Sequence, residues 1–222
     1  MLSGMASHAP ERPTGRPRDP AIDQAVLEAT LEVLRGSGYS GFSLEAVATR
    51  AGTTKPSILR RWPKRQQLII CALVTVLVTP PVPDTGCTRC DLIVSLESLA
   101  DALLRRVPQG VLAPLLADCS ADPGLLQHLT STLIQPARQA VATTVARAID
   151  RGHLRPGLEA DLVVDMLASV VFQGNMFGES RFPVEHVAYV VDVLLQGAAV
   201  DFDELVAISR ATPRAHRHRD DT

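Results

Sequence analysis

The stretch SLEAVATRAGTTKPSILRRW, Ser43 to Trp62, admits very few backbones, because it holds two helix starts with one stop between them. Ser43 is an N-cap residue, and the apolar positions after it, Leu44, Val47, Ala48 and Ala51, fall on one helical face. Gly52 ends that helix, since glycine enters the left-handed conformation of a helix terminus at no steric cost. Thr54 then caps a second helix, and Pro56 lies in its first turn, where a missing N–H matters little. Two short helices joined by a tight turn make a helix-turn-helix, the unit that lays its second helix in the major groove of DNA.

At about 100° per residue, Ile58 and Trp62 share one face of that second helix and are expected to anchor it to its neighbours. Pro56, Ser57 and Arg60 fall opposite; Lys55 and Leu59 flank the apolar face on one edge and Arg61 on the other. Five cations, Lys55, Arg60, Arg61, Lys64 and Arg65, crowd into Thr53–Arg65 together with the single tryptophan. Phosphates call for cations and N–H donors, and base edges for directed donors, arginine to guanine being the commonest.

The flanks extend the helical pattern. Asp19 and Pro20 open a first helix with apolar residues at Ile22, Val26, Ala29, Val33 and Leu34, ended by Gly36 and Gly38. Pro63 ends the third helix, and a fourth is expected from about 64 to 79. Pro80–Asp91 is a turn-rich break. Beyond it helices are expected at about 91–106, 109–119, 122–151, 159–178, 184–198 and 201–210, with Arg151–Leu158 as an interruption. No β-alternation of useful length occurs, so the fold class expected is all-α. The expected organisation is a disordered basic arm over 1–19, a helix-turn-helix DNA-binding domain over 20–66, a helical domain over 67–210 and a disordered tail over 211–222.

Net charge is −2, which by itself does not suggest a nucleic-acid binder. The distribution does: residues 1–70 carry ten Lys/Arg against six Asp/Glu, and residues 71–222 carry twelve against eighteen. The longest apolar run, Leu68–Val78, falls short of the roughly 18 residues of a membrane span. With a polar, proline-rich N-terminus, a cytoplasmic location and four cysteines as thiols are expected.

The segment from Gly15 to Ile69, with helix one, "GY-G-S-LEAVA-RAG" and "TKPSI-RRWP" in order, resembles the N-terminal domain of the tetracycline-repressor (TetR) family of bacterial transcriptional regulators. The rest resembles the family in helical layout, and "RGHLRPGLEADLVVDML" is similar to a segment common before its eighth helix. The resemblance implies a homodimer bound to a palindromic operator, usually as a repressor released by a small ligand. It implies a C-terminal helical ligand-binding and dimerisation domain, with the dimer interface on the last two long helices. It also implies DNA contacts at Ser43, Thr53, Thr54, Lys55, Ser57, Leu59, Arg60, Arg61 and Arg65. Two positions depart from the family pattern. Leu59 stands where a tyrosine is usual and offers only apolar contact. Lys64 stands where a capping serine is often found, and a cation at a helix N-terminus is mildly unfavourable. A phosphate would relieve it, so Lys64 and Arg65 are both expected to face the DNA backbone. Arg16 and Arg18 of the arm are candidates for a narrow minor groove.

A ligand pocket between helices is mostly apolar with a few polar groups. Candidates are Phe172, Gln173, Asn175, Met176 and Phe177, with His128 and Arg138 on the helix from 122. Cys87 and Cys90 have Cys-x-x-Cys spacing, but no second pair or histidine completes a zinc site, and neither metal nor cofactor is expected. The pair is either a redox switch, making a thiol-sensing repressor, or a coincidence in a loop. No nucleophile–base set or phosphate loop suggests an enzyme; a non-specific nucleic-acid-binding protein is the remaining rival.

Overall fold

The computed structural model describes residues 20–77, 82–176 and 186–212, so Arg16, Arg18, Phe177 and the expected arm and tail lie outside the described residues. Helices are α1 (Pro20–Ser37), α2 (Leu44–Arg50), α3 (Lys55–Arg61), α4 (Arg65–Val76), α5 (Thr88–Asp101), α6 (Leu112–Ser120), α7 (Pro123–Leu129), α8 (Gln135–Asp150), α9 (Ala160–Met176), α10 (His186–Ala198) and α11 (Phe202–Ala211). Among the described residues there is no strand, only an isolated bridge between Leu154 and Ala199. The all-α expectation holds.

Local chemistry sets the ends of the first helices as expected. Ser43 Oγ accepts the Ala46 N–H, and Thr54 Oγ1 accepts the Ser57 N–H. Gly52 has φ +61° with open space around its would-be Cβ, so the backbone conformation, not crowding, requires glycine there. The Thr53 N–H closes the turn onto the Ala48 carbonyl at 2.9 Å. One start moved: α5 begins at Thr88 because the Cys87 sulfur caps it by accepting the Cys90 N–H.

The buried run Leu68, Ile69, Ile70, Ala72 and Leu73 explains the long apolar stretch in α4. A helix apolar on every side must be covered on every side. Here α1 covers one flank, while α6, α7 and the turn after α7 cover the other. No helix of the described residues is long and apolar enough to cross a membrane. In the C-terminal part α5 packs on α8, α9 and α10, and α11 docks on α5. Leu92, Leu96, Val145, Leu167, Val171, Val191 and Leu195 fill the middle.

Two helices widen locally into π-turns, at Ala102–Arg106 after α5 and at Thr130–Ile134 between α7 and α8. Each runs into a proline, Pro108 or Pro136, which has no N–H to give and clashes with the preceding turn. The wider turn accommodates it: the Val107 N–H reaches back to the Ala102 carbonyl. The Leu103 carbonyl, left without a helical donor, is taken by buried Asn175 Nδ2 at 2.6 Å.

Candidate nucleic-acid interface

The α2–α3 unit is clamped from beneath. Ile58 is 1% exposed, and Trp62 packs on the same core. That fixes which side of α3 faces outward. Arg60 is exposed on it, with no ion-pair partner among the described residues. Thr54 is exposed, while Ser43, Thr53, Ser57 and Leu59 are partly exposed. Leu59 is not among the half-buried side chains packed on the core, unlike Trp62. Ser43 and Thr54 spend their hydroxyls on caps, Ser43 also donating to Glu45 and Thr54 to Ser57.

The cations of this region divide by partner. Lys55 Nζ lies 2.6 Å from Glu45 Oε1, and this pair holds the Glu45 carboxyl below its ordinary range. Both side chains are exposed, so the pair contributes little and leaves Lys55 free to exchange partners. Arg61 differs. Its side chain is 12% exposed and pairs with Asp23 of α1. This pair ties α3 to α1 and leaves only a small part of the Arg61 side chain exposed for a DNA partner.

Lys64 and Arg65 reach across to α7 and α6. Lys64, at the N-cap of α4, pairs with Asp122, which also caps α7 by accepting the Gly124 and Leu125 N–H groups. The Lys64 N–H is taken by Gln67 Oε1 at 3.1 Å. The cation at the helix start thus has a carboxylate partner within the protein, with its side chain still half exposed. Arg65 Nη2 donates to Asp118 Oδ2 of α6 at 2.9 Å and lies over the Tyr39 ring, 4.9 Å from its centroid. Tyr39 Oη and Gln66 Nε2 donate to the same oxygen at 2.7 and 3.2 Å. These donors, Tyr39 first and Arg65 next, hold the Asp118 carboxyl below the carboxylate range. The Asp118 hydrogen bond raises the Arg65 pKa, and burial together with Asp118 pushes the Tyr39 phenol up. Sequence reasoning missed Tyr39, Asp118 and Asp122. The available signal was the pair of carboxylates at 118 and 122 in an otherwise apolar "LLADCSAD".

Behind this junction lies an apolar cavity of about 160 Å³. Leu99 of α5, Leu116 of α6, Val141 of α8 and Leu167 of α9 line it, with both π-turns at its wall. Of the candidates, Phe172, Met176 and Arg138 line it. Arg138 is already paired with Asp165. Gln173 is exposed, away from the cavity, and Asn175 is occupied by Leu103; neither belongs to the lining. His128 also lies off the lining, its Nδ1 3.3 Å from Thr132 Oγ1. The cysteine pair, expected as thiols, is joined as a Cys87–Cys90 disulfide, with Cys71 and Cys119 free. No cluster able to hold a metal ion occurs among the described residues.

Comparison with known proteins agrees with this arrangement. Residues 26–70 match the family described as bacterial regulatory proteins, tetR family, and residues 82–194 match the tetracyclin repressor-like C-terminal domain. An HTH-type transcriptional regulator of Bacillus subtilis, YdeS, is 28% identical over 71% of this chain and 80% of its own length. The DNA-binding transcriptional repressor TetR of Mycobacteroides abscessus is 29% identical over 66% of this chain and 78% of its own. A solved TetR family transcription regulator superposes with a TM-score of 0.61 at 25% identity, covering 79% of this chain and 97% of that one.

Proposed function

The chain belongs to the TetR family of DNA-binding transcriptional regulators, and from that premise we propose that it is a homodimeric repressor of a palindromic operator, released when a small molecule enters its C-terminal cavity. The observation that carries the reading is Arg60: an exposed guanidinium with no ion-pair partner among the described residues, on the outward face of a helix pinned by Ile58. It suits guanine O6 and N7 in the major groove. Ser57 and Leu59 would meet neighbouring base edges, Leu59 by apolar contact such as a thymine methyl. Ser43, Thr53, Thr54 and Lys55 would position the helix on phosphate. We assign residues 20–66 to DNA binding and 67–210 to effector binding and dimerisation.

The dimer face lies on α9 and α10. Leu162 and Met166 are more than half exposed one turn apart on α9, and Tyr189 (69%) and Val193 do the same on α10. Adjacent apolar stripes of this kind mark association surfaces. The effector is an uncharged, largely apolar molecule, because Arg138, the one charged side chain among the described lining residues, is already compensated by Asp165. The space suits a ring about the size of benzene or a short chain.

Selection of bound DNA from a random pool tests the reading. A palindrome with half-sites about one helical turn or more apart is expected. Enrichment without symmetry, or without preference over competitor DNA, would favour a non-specific binder.

A further inference from the structure

The start of α5 ties together the α8–α9 connection, α10 and α11. In the sequence Cys87-Thr88-Arg89-Cys90-Asp91 the last four residues each have a side-chain partner outside the segment. Thr88 Oγ1 lies 2.9 Å from His153 Nδ1, in the connection between α8 and α9. Arg89 donates to both oxygens of Asp192 on α10, at 2.6 and 3.0 Å, and to Ser209 Oγ on α11 at 3.0 Å. The Cys90 sulfur is 3.6 Å from the same Ser209 hydroxyl. Buried Asp91 accepts from the Thr85 N–H and hydroxyl. The two sulfurs are bonded across this node, with Cα atoms 5.2 Å apart, inside the range a disulfide spans.

A structural staple explains this bond poorly. Cross-linking stabilises through the loop it closes, and this loop is only three residues apart in sequence. The helix start is also already fixed by Asp91, Thr88 and Arg89. Cysteines at a helix N-terminus are instead suited to thiolate chemistry, because the terminal N–H groups favour negative sulfur. Cys87 is the cap itself, its sulfur accepting the Cys90 N–H at 3.2 Å. Cys87 is fully buried and Cys90 half-buried, so an oxidant meets Cys90 first. The free cysteines offer a contrast: Cys119 is buried next to Asp118 and Asp122, and its thiol is pushed up.

We propose that Cys87 and Cys90 form a reversible thiol–disulfide centre for small hydroperoxides, whose state sets how firmly α10 and α11 sit on the start of α5. In the oxidising direction the Cys90 thiolate attacks a peroxide oxygen, the O–O bond breaks, and the leaving oxygen takes the thiol proton as water or alcohol. The Cys87 thiolate then attacks the Cys90 sulfenic sulfur and expels hydroxide, which takes the Cys87 proton and leaves as water. Two thiols give two electrons to one peroxide. A dithiol reverses the change: it attacks Cys90, frees Cys87 in a mixed disulfide, and its second thiol closes to release the reduced pair. With the bond open, Cys90 regains an S–H beside Ser209, and the turn carrying Arg89 is held by its Thr88, Arg89 and Asp91 contacts alone.

The test uses the full chain, reduced and freed of reductant, with hydrogen peroxide as probe. One equivalent is expected to remove two of the four thiols, mapped by mass spectrometry to Cys87 and Cys90 and restored by dithiothreitol. Amide hydrogen exchange in residues 186–211 is expected to be about tenfold faster in the reduced protein than in the oxidised one. In Cys90→Ser, peroxide should leave that exchange unchanged; the wild-type comparison stands even where the variant does not fold. Oxidation at Cys71 or Cys119 in place of the pair, loss of thiols that dithiothreitol does not restore, or equal exchange in the two states would overturn the proposal. The thiol count and its mapping depend on neither operator binding nor dimerisation, and the exchange is compared at one protein concentration in both states, so failure here leaves the regulatory reading intact.

Discussion

Arg60 and Arg65 stand five positions apart in one cationic stretch, yet the protein treats them in opposite ways. Arg60 lies in the last turn of α3, exposed and without an ion-pair partner among the described residues. Arg65 starts α4 pointing inward to Asp118, across Tyr39. Lys55 and Lys64 repeat the contrast in weaker form: Lys55 pairs within the α2–α3 unit, whereas Lys64 pairs with Asp122 at the start of α7. The first pair of cations belongs to the surface proposed to meet DNA. The second belongs to a junction between the helix-turn-helix and the helices that wall the cavity. A cation's position along the chain shows what it can do; the carboxylate that reaches it decides what it does.

The largest expected effect undoes both regions at once. Ile58→Ala removes the buried anchor of α3 and should lower unfolding free energy by about 2–5 kcal/mol, measured by denaturant titration. Arg60→Ala separates them. It should weaken operator binding by about 1–3 kcal/mol and relax preference at one base position, with unchanged thermal unfolding. Asp118→Asn acts on the other side. It should lower the melting temperature with little change in base preference. Because the folded Asp118 pKa is depressed, its contribution is complete above the ordinary carboxylate value and is lost as pH falls through the folded one. The difference in melting temperature between wild type and Asp118→Asn should therefore be widest near neutrality and close below about pH 4. The smallest effect sharpens the α3 face alone. Leu59→Tyr should shift operator affinity or preference a few-fold and spare folding, as followed by circular dichroism; identical binding would place Leu59 with the core.

The first three helices were legible because their determinants are local. Ser43, Gly52, Thr54 and Ile58 act within a turn or two of themselves, and a periodic pattern records them. What stayed hidden depends on distant partners. Arg65 meets a residue 53 positions downstream, and nothing near "PKRQQ" announces it. Asn175 looked like a ligand group because a buried amide needs partners. Its partner is the Leu103 carbonyl, 72 positions away, orphaned because Pro108 has no N–H. The cavity was only half visible, since most of its wall is leucine, valine and alanine drawn from several helices, the composition of any core.

Lys55 and Arg60 are the cations proposed to serve DNA, and Lys64 and Arg65 those that serve the junction. Operator affinity measured across salt concentration for wild type, Arg60→Ala and Arg65→Ala tests this division most directly. Arg60→Ala is expected to lose affinity about tenfold or more, whereas Arg65→Ala keeps the wild-type dependence of log K on log salt. An Arg65→Ala slope reduced by about one, with Arg60→Ala binding like wild type, would place Arg65 on phosphate and contradict it.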